Sequence, residues 1–416
     1  MRRLHPFEFL SGVNGELMVF DVESLALLVP DEENIAYLKS AYGDRDIAPL
    51  SPDAIRCLEE AGLISSDKAP RAHRDLRIDA FRMIVTEGCN FRCPECFVCK
   101  HLTRLRSMTK RTARRVVQMA CDLSRGMPFT FHFFGGEPLL QMELVRDAVE
   151  MAEEARARGL IDPTYAITTN LTLLDKDTVE FFHTYDFRVG VSVDGPAFIN
   201  DQFRVYRSGK GTYFDVMQKY DLLASSGIDT FILITPHAGY VAELPDIFTS
   251  LVGTFKVGTV TVNTPFHEQH FGWDVDGKTY AETLVEIERR AQQLGVVVDS
   301  ALSPPLSSIC NATPRLSPCS ITGNSTMVSV APDGRISPCP QNWQQTVPLA
   351  DIADCHSLLP KEKPRSCSSC IARYICGGPC KLFRHLSGKQ LDTARCEFMK
   401  SVPGLVAKNL DLFGGE

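Results

Sequence analysis

The sequence lacks any apolar run approaching the roughly 20 residues that cross a bilayer. It also lacks a basic excess and low-complexity tracts. The first absence argues against a helical membrane anchor. The amino-terminal stretch MRRLHPFEFLSGVNGELMVF carries two arginines with no continuous apolar segment behind them, which is not the form of an export signal. The expectation is a soluble, cytoplasmic protein with no membrane partner. Lysine and arginine number 44 against 51 acidic residues, a net charge of -7. No basic stripe is available to neutralise phosphates, which argues against a nucleic-acid partner. At 416 residues and 44% hydrophobic content, the chain has material for a large core and two or three folding units.

What is present in abundance is cysteine, 15 in all. Without an export signal, the reducing compartment favours metal ligation over disulfides. One group is Cys89, Cys93, Cys96 and Cys99. The other is Cys310, Cys319, Cys339, Cys355, Cys367, Cys370, Cys376, Cys380 and Cys396. Cys57 and Cys121 stand apart, each on a helical stripe (Ala54, Cys57, Leu58, Ala61; Val116, Val117, Ala120, Cys121), and read as packing residues.

Residues 1–76 read as a small α+β unit. Two strand-like runs (ELMVFDV, SLALLV) precede two helices, the first with Asp31 as cap, the second with Ser51 as cap and Pro52 at its first position. The polar stretch SSDKAPRAHRDLR reads as a linker. Over residues 77–301, the strand candidates AFRMIV, FTFHFF, YAITT, FRVGVSV, TFILIT and GTVTVN alternate with helical patterns, among them TKRTARRVVQMACDLSR, a helix after PLLQ, one from Asp175 and one after GTYF. About six such units predict an α/β fold, a partial (β/α)6 TIM-like barrel with its chemistry at the carboxyl ends of the strands. Residues 302–416 change to short strands joined through APDG and then to cysteine-rich loops, a separate module.

Cys89, Cys93 and Cys96 stand in C-x3-C-x2-C spacing directly after the first barrel strand. Three thiolates from one loop suit a four-iron cluster with one iron left open to a ligand. Here the sequence resembles the radical S-adenosylmethionine (radical SAM) superfamily, whose hallmark is this spacing at this place. The resemblance continues in order: FFGGEPLL, ITTN (Ile167 to Asn170) matching the family's fourth strand end, VSVDGP, and NDQFR. It implies Gly135, Gly136 and Glu137 near the amino group of S-adenosylmethionine. It further implies Asn170 at the ITTN strand end, Ser192 and Asp194 beside the ribose and carboxylate sites, and Arg204 paired with the carboxylate. The position before the third cysteine, usually aromatic in the family, is Glu95 here, and Phe97 stands close enough in sequence to substitute. Family chemistry is reductive cleavage of S-adenosylmethionine to a 5'-deoxyadenosyl radical that abstracts hydrogen. Cys99 would block the open iron if it bound, so it is an unassigned thiol.

Cys319, Cys339, then C-x2-C-x5-C-x3-C at Cys367, Cys370, Cys376 and Cys380, and finally Cys396 resemble the SPASM domain of radical SAM peptide and protein maturases. That resemblance implies two auxiliary [4Fe-4S] clusters, one on Cys310, Cys319, Cys339 and Cys380, the other on Cys367, Cys370, Cys376 and Cys396. With the front cluster this makes three. Paired spacings of this kind also suit structural zinc. Cys355 finds no place in the scheme and reads as a packed or free thiol.

The family resemblance implies oxidative modification of a ribosomally synthesised peptide, with thioether formation first and other crosslinks behind it. It implies a precursor peptide with a leader, held by a winged-helix-like unit at the amino terminus, and a reducing partner such as flavodoxin or ferredoxin. One alternative is the anaerobic sulfatase maturase that makes formylglycine. Those enzymes carry an aspartate directly after the cysteine matched by Cys339, whereas this chain has Pro340. Another is a non-enzymatic Fe-S or zinc protein that binds a peptide. His237, Asn263 and His267 stand at later strand ends, where substrate would arrive, and no residue is assigned as catalytic.

Overall fold

The computed structural model describes residues 3–4, 7–41, 56, 64–65, 78–94, 96, 105–267, 272–315, 326–339, 346–352 and 365–413. At the amino terminus lie β1 (Arg3–Leu4), β2 (Phe7–Ser11), β3 (Leu17–Asp21), β4 (Leu27–Leu28) and β5 (Ile64–Ser65). β2, β3 and β4 form an antiparallel sheet, and β1 pairs with β5. The helix Glu32–Ala41 starts where Asp31 stands, its first turn closed by the Ile35 N–H donating to the Asp31 carbonyl at 2.9 Å. Ser51, Pro52 and Cys57 of the second expected helix lie outside the described residues, as do Glu95, Phe97, Cys99, Cys319, Pro340 and Cys355.

The central sheet begins with β6 (Ile78–Thr86), β7 (Pro128–Gly135), β8 (Asp162–Thr169), β9 (Arg188–Ser192), β10 (Thr230–Ile234) and β11 (Thr259–Val262). After the small antiparallel pair β12 (Phe266–His267) and β13 (Gly272–Trp273), β14 (Val297–Asp299) joins β11. All seven central strands run parallel, one more than the alternation in the sequence suggests. ITTN ends the third of them rather than a fourth.

Crossover helices cover one face of this sheet, and their ends are set locally. Thr109 caps the helix Lys110–Ser124 by accepting from the Thr112 N–H, and Asp175 caps Lys176–Thr184 through the Thr178 N–H. The strands alternate accordingly. Phe81, Met83 and Val85, Phe129, Phe131 and Phe133, and Val189, Val191 and Val193 are buried in the shared core. Cys121 is buried there too, as its stripe predicts. The intervening positions mix small or polar residues, Ala80 and Arg82, Thr130 and His132, Thr164 and Thr168, Gly190 and Ser192, with apolar Ile84, Phe134, Phe231 and Leu233. A closed barrel fills its inward face with branched apolar side chains; this one sets polar residues among the apolar ones and leaves a cavity at the strand ends.

The carboxyl-terminal segment is not separate at the level of the sheet. β15 (Thr326–Val330) pairs in parallel with β6, and β16 (Arg335–Ser337) and β17 (Val347–Pro348) follow antiparallel, giving the order β14-β11-β10-β9-β8-β7-β6-β15-β16-β17. The cause is the open barrel itself, which leaves the first strand with an unpaired row of backbone groups unless a later strand covers it. Further ties knit the units together. Arg106 pairs with buried Glu87 at 2.7 Å and with Asp333 of the β15–β16 turn at 2.5 Å. Arg373 pairs with buried Glu23 at 2.9 Å. The helix Thr393–Lys408 packs on Gly277–Leu294, where Phe398 meets Trp273 and Tyr280. A side chain at Gly277 would strike the Ala394 carbonyl, so glycine is required there.

Candidate active site

The loop after β6 and the carboxyl ends of β7 to β10 surround a cavity of about 220 Å3. Cys89, Cys93 and Cys96 line it together with Gly135, Gly136, Asn170, Ser192, Asp194 and Arg204. The loop is fixed by its neighbours. The Phe91 N–H donates to Cys89 Sγ at 3.3 Å, Asn170 Nδ2 approaches the same sulfur at 3.8 Å, and the Arg92 N–H donates to the Val205 carbonyl at 2.8 Å. Phe91 packs edge-on against Tyr206. Burial pushes the Cys89 thiol up to about 12. It raises Cys93 as well, with Arg204 opposing the rise.

The glycine turn interlocks with this loop. The Gly136 N–H donates to the Thr86 carbonyl and the Glu137 N–H to the Gly88 carbonyl, both at 2.8 Å. Gly135 has φ +145, and a Cβ there would lie 2.1 Å from the Thr86 oxygen, so both backbone angle and space demand glycine. The Glu137 carboxylate does not line the cavity. It is fully buried and accepts from the Thr169 hydroxyl at 2.7 Å, the Asn170 N–H at 2.7 Å and the Leu139 N–H at 3.0 Å. Its work in this structure is to clamp the end of β8 to the turn after β7. Burial pushes its carboxyl up to about 7 against those three hydrogen bonds.

On the opposite wall Asp194 is buried and takes Arg204 as a two-point partner, Nη2 to Oδ1 and Nε to Oδ2, both at 2.8 Å. Arg204, placed by the sequence resemblance against a ligand carboxylate, is thus engaged with a protein carboxylate. The Thr235 N–H donates to Asp194 Oδ1 at 2.9 Å, and His237 Nε2 lies 3.5 Å from Oδ2. Burial alone would raise the Asp194 carboxyl; Arg204 and His237 outweigh it and hold the group down at about 2. His237 stacks on Phe203, ring centroids 3.4 Å apart, and both line the cavity. Asn263 sits one strand further, donating to Thr235 Oγ1 at 3.2 Å. The side chain of His267 is outside the described residues.

Sequence reasoning missed Phe91, Phe134, Thr168, Thr169, Phe203 and Thr235 of the lining, and with them a polar line across the inner face. Arg82 and His132 are register partners on β6 and β7. Arg82 Nε donates to His132 Nδ1 at 3.4 Å, and His132 Nε2 lies 2.8 Å from Thr168 Oγ1. Burial first, then the Arg82 charge, pushes the His132 imidazole down to about 3, so it is neutral. The available signal was a charged or polar residue at an inward position of an otherwise apolar strand, as in AFRMIV and FTFHFF.

In the rear module, Cys367, Cys370, Cys376 and Cys396 line one apolar pocket with Leu391 and Met399. The buried Arg395 guanidinium donates to Cys376 Sγ at 3.3 Å and to the Gly378 carbonyl at 2.9 Å. Burial pushes the Cys396 thiol up to about 11. Of the other expected set, Cys310 is exposed at the end of Ser303–Cys310, 4.0 Å from the Phe413 carbonyl. Cys339 follows β16 within reach of the Arg82 charge, and Cys380 stands directly before the helix Lys381–Ser387.

Both cysteine sites fit the groups that the sequence implies. Among the described residues no three Cys, His, Asp or Glu converge as a single metal ion would require. Cys89, Cys93 and Cys96 line the front cavity together, and Cys367, Cys370, Cys376 and Cys396 line the rear one. Next to the front cysteines, Arg204 Nε and His237 Nε2 are buried on the cavity wall and both turn to Asp194 Oδ2, at 2.8 Å and 3.5 Å. Gly135 and Gly136 keep the adjoining backbone bare on that wall.

Comparison with known proteins agrees with this geometry. Residues 83–248 match the family model described as the Radical SAM superfamily. A cysteine-type anaerobic sulfatase-maturating enzyme of Clostridium novyi is 29% identical over 36% of this chain and 41% of its own length. The chain spans 62%, 54% and 41% of the lengths of the first three curated relatives it matches. In fold, it is similar to native anSMEcpe with bound AdoMet and Cp18Cys peptide (TM-score 0.64, 20% identity, 79% of this chain and 99% of that one). It is also similar to Streptococcus suis SuiB bound to precursor peptide SuiA (TM-score 0.56, 14% identity, 94% and 98%). The part of the chain that matches the radical SAM superfamily model, residues 83–248, is the part that carries the cysteine loop, the glycine turn and the Asp194–Arg204 wall.

Proposed function

We propose that the protein is a radical SAM maturase that modifies a ribosomally synthesised peptide, forming a thioether or another crosslink. The observation that carries this reading is the grouping of Cys89, Cys93 and Cys96 around one cavity with Asn170, Ser192, Asp194 and Arg204. A [4Fe-4S] cluster on the three thiols would supply the electron that cleaves S-adenosylmethionine into methionine and a hydrogen-abstracting adenosyl radical. The chain's own residues do the rest: Asn170 and the Phe91 N–H orient Cys89, Asp194 holds Arg204 and His237 in place on the cavity wall, and apolar Phe91, Phe134 and Phe203 keep water from the reacting centre.

The same reading gives the rear cysteines two auxiliary clusters: one on Cys310, Cys319, Cys339 and Cys380, the other on Cys367, Cys370, Cys376 and Cys396. The pocket shared by the second four supports its half of that assignment. The amino-terminal sheet, whose outer strand β2 borders a groove with Lys278, Lys400 and Lys408, is proposed as the leader-peptide site. A flavodoxin or ferredoxin is the proposed reductant.

Anaerobic reconstitution tests this. About twelve irons per chain and reductant-dependent release of 5'-deoxyadenosine and methionine are expected; zinc content without cleavage would sink it. Sulfatase maturation is the second reading, supported by the name of the Clostridium novyi relative and weighed against by Pro340. Incubation with a sulfatase-type cysteine or serine peptide, beside a short cysteine-containing peptide encoded next to the gene, separates the two by mass change.

A further inference from the structure

We propose that Thr168 is a directed hydrogen-bond donor to the adenosyl ligand of the cavity, turned toward it by Arg82 acting through His132. The inference rests on the functional reading above and adds to it a ligand contact and two positioning residues.

The direction follows from donor and acceptor chemistry. Arg82 Nε carries a hydrogen and can only donate, so His132 Nδ1, 3.4 Å away, must be the bare ring nitrogen. The proton of the neutral ring therefore sits on Nε2, which donates to Thr168 Oγ1 at 2.8 Å. Thr168 Oγ1 accepts that bond, and its own hydrogen is left to give. Among the described residues the Thr168 hydroxyl meets no other hydrogen-bond partner, and the residue is 8% exposed. A hydroxyl buried to that degree is costly if left unpaired. Thr168 lines the cavity beside Asn170 and Ser192, so the free hydrogen has the cavity's occupant as its outlet. S-adenosylmethionine presents acceptors of the matching kind: ribose hydroxyls, purine nitrogens and a carboxylate.

Each link holds the next. Arg82 also stacks on Phe134, 5.1 Å from its ring centroid, which keeps the guanidinium from swinging away from His132. Without Arg82 the imidazole is free to take the other tautomer, in which Nε2 would accept from Thr168 and consume the hydrogen meant for the ligand. The Arg82–His132 pair thus decides whether Thr168 donates or is spent.

The test is calorimetric binding of S-adenosylhomocysteine to anaerobically reconstituted holoenzyme. Thr168→Val, close in shape but without the hydroxyl, is expected to weaken binding about five- to tenfold. Thr168→Ser, which keeps the donor, should stay within about twofold of wild type. His132→Leu, which leaves the hydroxyl in place but undirected, should lose part of what Thr168→Val loses, and the double variant should lose no more than Thr168→Val alone, because His132 acts through Thr168. His132→Gln, whose amide can still donate toward position 168, should recover part of the affinity. Unchanged binding by Thr168→Val, or additive losses in the double variant, overturns the inference while leaving the radical SAM reading intact. Wild-type holoenzyme that binds no S-adenosylhomocysteine overturns that reading and the inference with it.

Discussion

Arg204 closes on Asp194 with two contacts of 2.8 Å, so the one buried cation on the far wall of the cavity described here is balanced by a protein carboxylate before any ligand arrives. The pair also fixes geometry: Asp194 holds the Thr235 N–H, and Arg204 follows the short helix Ala197–Phe203 that faces the cysteine loop.

Asp194→Asn removes the charge but keeps an oxygen for Thr235. Arg204 is then buried without its counter-charge, and S-adenosylhomocysteine affinity is expected to fall at least tenfold, about 1.4 kcal/mol. Isothermal titration of the holoenzyme reads this, and unchanged affinity would show that the pair does not shape the ligand site.

Glu137 predicts a pH dependence. Its folded pKa, about 7, lies above the ordinary value of 4.5, so the folded state holds the proton that the unfolded chain releases. Its stabilising share is therefore complete below 4.5 and is lost as pH rises through about 7. Calorimetric melting of wild type against Glu137→Gln should show a stability difference that changes across this window and is flat above it. A difference independent of pH would refute the assignment.

Arg106 separates a buried partner from an exposed one. Arg106→Ala strands the fully buried Glu87 and should cost about 2 to 3 kcal/mol, whereas Asp333→Ala cuts a half-exposed pair and should cost under about 1 kcal/mol. Denaturant titration compares them; equal losses would mean that the tie to the β15–β16 turn carries more weight than burial predicts.

The two cysteines that close the opening motif make the fourth test. Cys99→Ala is expected to retain reductive cleavage of S-adenosylmethionine, and Cys96→Ala to abolish it. Product analysis for 5'-deoxyadenosine decides, and equal loss in both would place Cys99 among the ligands.

Much of this architecture was readable because its signals are local. Thr109 and Asp175 announce their helices, the phenylalanines of FTFHFF alternate with residues of the other face, and the cysteine spacing needs no fold to be seen. The 18-residue helix Gly277–Leu294 was missed although its signals were there, Asp276 as cap and Gly295 just past its end. The pairing of β15 with β6 had no local signal, since it joins residues some 250 positions apart. The role of Glu137 was hidden for a related reason: its motif marks the turn, but which way its carboxylate points depends on the Thr169 and Asn170 groups that β8 brings to it. The Arg82–His132–Thr168 line likewise exists only once three strands are in register.

The late partner of β6 has a kinetic consequence. The strand that leads into the cysteine loop emerges early from the ribosome, yet its outer edge is covered only when Thr326–Val330 has been made. Contacts of such sequence separation slow folding, and an uncovered strand edge invites pairing with other chains. Nascent or truncated chains ending before β15 are thus the aggregation-prone species, and the completed rear segment acts as the lock that ends this exposure.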